Sequence, residues 1–293
     1  LVHSILSYGS EFLDHSSNAN YGNQSTYLEA AVTYNRTFDK HALDALFLYN
    51  QRSYDWGDVQ PNRTQGIAGR LSYTFDRRYI SEFNFGYNGS ENFAKGKRFG
   101  FFPSVAIGWL ISEESFMRNL QEDITKLKLR ASVGSVGNDN IGDDMWRYQY
   151  KVNSTGGPGF GESNVNGEQY YVNSSDNKFP NKDIKWETTI TRNIALDLGF
   201  FNERLTITPE FYWNTTRDLL YDSPIPSTSG YVTQTQNIGQ VTNRGFELTI
   251  NGTIIQKKDF MLSANLTFGM NKSRVDKLNG NIDEFWTTSS RWK

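Results

Sequence analysis

Hydrophobic and polar residues alternate with a period of two along most of this chain. In the run IAGRLSYTF, Ile67, Leu71, Tyr73 and Phe75 share one face, and Arg70, Ser72 and Thr74 share the other. After Asp76-Arg77-Arg78 the pattern returns, with Phe83, Phe85 and Tyr87 alternating with Glu82, Asn84 and Asn88. A third run places Val105, Ile107 and Trp109 opposite Ser104, Ala106 and Gly108. Period two predicts strands with one apolar and one polar face. The same pattern marks YLEAAVTYNRTF, HALDALFLYN, LKLRASVGSVG, WETTITRNIALDLGF, LTITPEFYWN, FELTINGTI and FMLSANLTFGM. In HALDALFLYN the second face also carries Leu46 and Leu48.

The connections alternate in length. Short ones are expected at Asp39-Lys40, Asp76, Asn202-Glu203 and 256–259, and polar loops at 52–65, 138–183 and 217–240. Between Ile111 and the next strand, SEESFMRNLQEDITK predicts a short helix over 112–124, with Ser112 as its cap. Aromatic residues gather at both strand ends. Phe38, Phe75, Tyr79, Trp109, Phe200 and Phe260 stand beside short turns; Tyr49, Tyr87, Phe101, Trp186, Trp213, Phe246 and Phe268 stand beside long loops. Short turns on one side, long loops on the other and two aromatic girdles are the marks of an antiparallel transmembrane barrel. A soluble sandwich shows the same alternation but buries its apolar face against a second sheet. Two residues strain the barrel reading. Arg192 falls in the outward phase, where a midplane Arg costs about 2–4 kcal/mol, so it belongs near an interface or a register change. Pro209 removes a ladder donor and implies a bulge.

Composition narrows the classes. The chain has 293 residues, a net charge of -2 and no cysteine, which excludes a basic nucleic-acid binder and a disulfide framework. Aromatic residues make up 15%, and mean hydropathy is -0.61. No run reaches the roughly 20 apolar residues of a membrane helix, whereas a membrane strand needs only about 9–11. The start, LVHSILSYGSEF, lacks Met and the pattern of a signal peptide, so the chain reads as an internal fragment.

Catalytic and metal chemistry find little support. His3, His15 and His41 are scattered, and Glu113-Glu114 and Asp143-Asp144 read as solvated turn residues. GGPGFG at 156–161 lacks the strand-to-helix context of a phosphate loop. NDNIGDD at 138–144 offers oxygen ligands for calcium without EF-hand spacing. The reading is no enzyme, no cofactor and no metal. Two sets of binding candidates remain. The inward polar face carries Arg70, Glu82, Lys128, Arg130, Glu187, Asp197, Glu210 and Glu247, which either line water or meet a plug. The loop aromatics Trp146, Tyr148, Tyr150, Tyr170 and Tyr171 either stack on sugar rings and peptide side chains or pack the loop.

Four long stretches in series carry a resemblance: GFFPSVAIGWLISEESFM, LKLRASVGSVGNDNIG, KWETTITRNIALDLGFFNERLTITPEFYWNTTRDLL and IPSTSGYVTQTQNIGQVTNRGFELTI. Together they resemble SusC/RagA-type TonB-dependent outer-membrane transporters from about Ile67 to Asn271; residues 1–66 fit more loosely. The resemblance implies an all-β antiparallel barrel of about 22 strands around an N-terminal plug. Residues 1–293 would form part of that barrel, without the plug, the TonB-contacting segment, the signal peptide or the last strands. It implies energised uptake of a bulky glycan or peptide, TonB-ExbB-ExbD as energy source, a SusD-like surface lipoprotein as lid, and outer-membrane lipid around the barrel. The rivals are a passive porin, a glycan-binding sandwich and, more weakly, an outer-membrane hydrolase.

Overall fold

A computed structural model describes residues 22–55, 61–140, 146–150 and 178–278, with the backbone of short pieces at 152–153, 159–160, 170–171 and 174–175. Ten long strands follow one another: β1 (Gln24–Phe38), β2 (His41–Asp55), β3 (Asn62–Phe75), β4 (Tyr79–Ser90), β5 (Phe99–Leu110), β6 (Ile124–Asn138), β7 (Glu187–Phe200), β8 (Leu205–Pro224), β9 (Thr233–Lys257) and β10 (Phe260–Lys277). Each pairs antiparallel with its neighbour in chain order, giving one continuous meander. The piece Lys178–Phe179 adds in parallel to the upper end of β9.

The registers put the expected faces together. One cross-strand row runs Tyr34, Ala45, Leu71, Phe83, Val105, Val133, Arg192, Trp213, Arg244, Lys272. Its members occupy one face throughout, which is what period-two patterning requires. That face is bare: Val32 is 70% exposed, Ile107 59% and Leu266 60%. A sandwich would cover these side chains with a second sheet; among the described residues none does so. The apolar band therefore faces outward, and the barrel reading replaces the sandwich. The sheet is open, and both edge strands, β1 and β10, are exposed along their whole length. Among the described residues no helix is long and apolar enough to cross a membrane.

Tight turns tie the lower rim together. Asp39, Asp76, Arg77, Phe201, Asn202 and Glu203 all take positive φ there. Backbone bonds then link adjacent turns sideways: Asp76 N donates to Lys40 O (2.7 Å), Leu110 N to Arg78 O (2.7 Å), Phe201 N to Asp123 O (3.2 Å) and Thr253 N to Arg204 O (2.7 Å).

Four expectations change. The 112–124 segment is two 3-10 turns, Ile111–Glu113 and Ser115–Leu120, and no side chain caps the first. Glu114 between them is extended (φ -75°, ψ 148°), because its carboxylate reaches back to the sheet. Nor is Glu114 solvated: it is 8% exposed. The 217–240 loop is mostly ladder, since β8 and β9 pair as far as Pro224↔Thr233. Pro209 causes no bulge. It pairs with Leu248, and toward β7 the bonded pairs pause between Ala195↔Glu210 and Leu198↔Ile207, then resume in the same register. The irregularity lies higher, at Arg217–Leu220, where Asp218 takes φ 57°.

Candidate lumen and loop site

Charged side chains on the inward face are paired across strands. Arg70 on β3 donates to Glu82 on β4 (2.6 Å), and Asn84 donates to the other oxygen of that carboxylate (2.8 Å). Arg130 on β6 reaches Asp197 on β7 (3.4 Å) and Glu210 on β8 (2.8 Å), stitching three strands. Lys128 stands opposite Asp197, and its stem lies over Gly108, where a Cβ would meet the Lys Cε at 3.3 Å. Glu247 differs. It stands directly across from Glu210 with its side chain exposed, so its carboxylate faces the lumen beside a like charge.

Glu187 lies at the top of the lumen and acts as a clamp. Its carboxylate accepts from Asn138 Nδ2 (2.7 Å) and from the backbone N–H of Leu220 (2.7 Å), joining β6, β7 and β8. Above it the loops form a packed crown. Phe93 and Ile184 are fully buried, and Trp186 packs against Phe93 (5.4 Å between centroids) and Phe102 (5.3 Å). The Trp186 indole donates to Arg98 O (3.0 Å). Trp186 therefore belongs to the crown and not to the outer girdle, because it precedes the strand that starts at Glu187. Asn237 accepts from Lys185 N (2.9 Å) and donates to Lys185 O (2.8 Å) and Asp218 O (2.7 Å). Lys185 also meets Asp218 (3.0 Å), and Lys178 meets Asp222 (2.6 Å). The Asp222 carboxyl also accepts from Thr235 (2.6 Å).

The loop aromatics divide. Trp146 is 8% exposed, and the backbone O of the equally buried Arg147 beside it accepts from Asn181 N (2.9 Å), so Trp146 packs the base of the crown. Tyr148 is half-buried, and Tyr150 is 66% exposed. Tyr150 stands edge-on to Phe179 (6.3 Å), which meets Tyr231 in the same way (5.0 Å). In this cluster Tyr150 is exposed, and Phe179 and Tyr231 beneath it are half-buried. Phe179 and Tyr231 were missed in the sequence because each lies alone in a polar stretch. Tyr170 and Tyr171 pair by backbone with Gly159–Phe160, which places GGPGFG partly in a strand. Asp143, Asp144, His3 and His15 lie outside the described residues. Among the described residues no group of three or more His, Cys, Asp or Glu converges as a metal site. His41 meets the Tyr73 hydroxyl (2.6 Å).

At the opposite rim Glu114 closes a third cluster. It accepts from the Tyr79 hydroxyl (2.6 Å), the Trp109 indole (3.0 Å) and Arg78 (2.9 Å). Those hydrogen bonds, the Tyr79 hydroxyl foremost, hold its carboxyl below the usual glutamate range. Arg78 also pairs with Asp76, whose carboxyl is lowered chiefly by that bond. Polar atoms of the lower aromatic girdle are thus satisfied from the water side. A cavity of about 150 Å³ beside Gln51, Arg63, Glu91 and Arg98 is smaller than the roughly 300 Å³ where ligand pockets begin.

Comparison with known proteins agrees with this arrangement. Residues 3–293 match the family described as TonB dependent receptor-like, beta-barrel. The chain is 34% identical over 291 residues to TonB-dependent receptor P3 of Formosa agariphila, covering 89% of this chain and 28% of that protein. It is 40% identical over 226 residues to TonB-dependent receptor SusC of Bacteroides thetaiotaomicron, covering 76% and 22%. Among solved structures, the RagAB peptide transporter superposes with a TM-score of 0.73 at 26% identity, over 87% of this chain and 30% of that one. The chain thus spans less than a third of these relatives. Strand order, outward apolar band, aromatic girdles and matched length together make it a barrel segment of the SusC/RagA-type TonB-dependent receptors, a family of the bacterial outer membrane.

Proposed function

We propose that the chain is the wall and part of the outer crown of an importer that takes up a bulky nutrient, a glycan or a peptide, with TonB-derived energy. Residues 1–293 form part of a barrel of about 22 strands in this reading, and the plug and TonB-contacting segment belong to other parts of the receptor. The observation that carries it is the crown. Its loops are fastened to the barrel by Glu187, Asn237 and the Phe93–Trp186 stack, yet Tyr150 stays exposed on top of half-buried Phe179 and Tyr231. A fixed base with an exposed tyrosine on an aromatic cluster suits a lid partner or a sugar or peptide ligand better than a freely open porin mouth. SusC and the RagAB complex, to which the chain is similar, favour a SusD-like surface lipoprotein as that lid.

Within such a machine this segment does no bond chemistry. The paired inward charges, Arg70–Glu82 and Arg130–Asp197–Glu210 with Lys128 opposite Asp197, balance one another and keep the wall rigid while a plug moves past it. Glu247 offers a free carboxylate to the plug or the passing solute. Gating then rests on population shifts of the plug and lid, each driven by its differential contacts. Purifying the full-length receptor from outer membranes in mild detergent tests the reading. A surface lipoprotein recovered in near-equal amount supports the lidded importer. A receptor that comes out alone, and passes solute without TonB, is a porin and ends the proposal.

A further inference from the structure

We propose that the outward face of β7–β10 holds phosphate-bearing lipid headgroups of the outer leaflet. On this face Arg192, Trp213, Arg244 and Lys272 stand side by side on four adjacent strands. One step higher, Arg274 pairs with Thr242, and Arg217 lies one further step up on β8. Arg192, Arg217, Arg244 and Lys272 are exposed and have no carboxylate partner among the described residues. Asp276 is the acid of this patch, and it is engaged by Arg274 (3.6 Å) and by Thr242 and Gln240. Arg244 directly opposite Lys272 is a like-charge cross-strand pair, unfavourable unless an anion sits over it.

Height selects the anion. The span from Phe260 to Met270, at about 3.3 Å per residue and a tilt of about 40°, rises roughly 25 Å along the membrane normal. That is the height of the apolar band, so Lys272 begins where hydrocarbon ends. Arg192 lies somewhat lower, at roughly 20 Å above Phe200 by the same reckoning, and its long stem lets the guanidinium rise to the row. Directly beneath are Phe211, Phe246, Met270 and Phe268, an apolar bed for acyl chains. Basic forks above an apolar bed match an amphiphile with phosphate on its head. At comparable height β2–β5 carry Gln51, Gln65, Gly89 and Phe99, with Arg63 the sole basic residue. The inward arginines Arg70 and Arg130 are all paired. The patch is therefore local and net positive.

The inference needs only the membrane barrel and stands apart from TonB energy, lid and nutrient. Its test compares the full-length receptor with an R192Q/R244Q/K272Q variant and with R36Q, a change on the outward face near the opposite rim. After exhaustive detergent washing, retained lipid is read by native mass spectrometry and by lipid-phosphate assay. Each neutralised charge is expected to weaken retention about fivefold, so the triple variant loses nearly all bound phosphorylated lipid and R36Q loses none. Folding is checked by the heat-dependent shift in gel mobility, and R244Q alone replaces the triple variant if that one does not fold. Equal retention in wild type and variant overturns the proposal. So does inorganic phosphate displacing the lipid at equal concentration, which marks a plain anion site. Loss of a protein partner with lipid retention intact likewise overturns it and makes the row a protein interface.

Discussion

The two ends of the barrel wall are closed by different means. At the rim, one carboxylate gathers three donors from adjacent strand ends and turns: Glu114 takes Arg78, Tyr79 and Trp109. At the crown, segments far apart in the chain meet through a buried aromatic and aliphatic core and through amides: Phe93 and Ile184 inside, Asn237 and Asn181 bridging to Lys185, Asp218 and Thr235. The rim is thus closed on a single acid, while the crown is closed by an apolar core and amides with carboxylate pairs around them. A surface that must keep its shape against a partner or ligand gains from the second kind of closure, since exposed polar ties alone hold loops weakly.

Removing Phe93 should break the crown and spare the rim. Phe93→Ala is expected to cost about 3–5 kcal/mol of local stability, and limited proteolysis of the full-length receptor should cut within 91–98 and 178–186 while the short turns stay intact. Cleavage unchanged from wild type would show that the stack with Trp186 is not what holds the loops. A smaller effect is expected for Asn237→Ala, which strips the partners of Lys185 and Asp218. The loss should be about 1–3 kcal/mol, read as faster amide exchange at 184–186 and 218–220. The mildest and most diagnostic contrast is acid. The folded carboxyl of Glu114 sits below its ordinary value, so its contribution is complete above that value, about pH 4.3, and is lost as pH falls through the lowered one. Trp109 fluorescence should report that loss in wild type and not in Glu114→Gln. An identical acid response in the variant would assign the transition to another group.

Much of the wall was legible because membrane strands leave a two-sided record. Strand phases, the turns at Asp39, Asp76 and Lys258, and the outward position of Arg192 all follow from alternation. What escaped has polar residues on both faces or depends on tertiary contact. The β8 and β9 extensions through Ser223-Pro224 and QTQN show no alternation, since beyond the membrane neither face has hydrocarbon to meet. Ser112 looked like a cap, yet three donors on Glu114 outweigh one turn of helix. Trp186 kept the phase of a girdle residue but lies before its strand, where Phe93 and Phe102 claim it. Of the binding candidates, the cross-strand partners of Arg70 and Arg130 could be anticipated from phase, whereas Phe179 and Tyr231 meet only through the crown.

The open sheet has a practical consequence for anyone who produces this segment by itself. Strands β1 and β10 each present a long row of unpaired N–H and C=O groups along an exposed edge. In water such rows are templates for strand addition, and the outward apolar band adds a second adhesive surface. Molecules of the isolated segment should therefore stack edge to edge into insoluble ribbons. Solubility trials on the piece alone would measure that polymerisation and say nothing of how the receptor folds in its membrane.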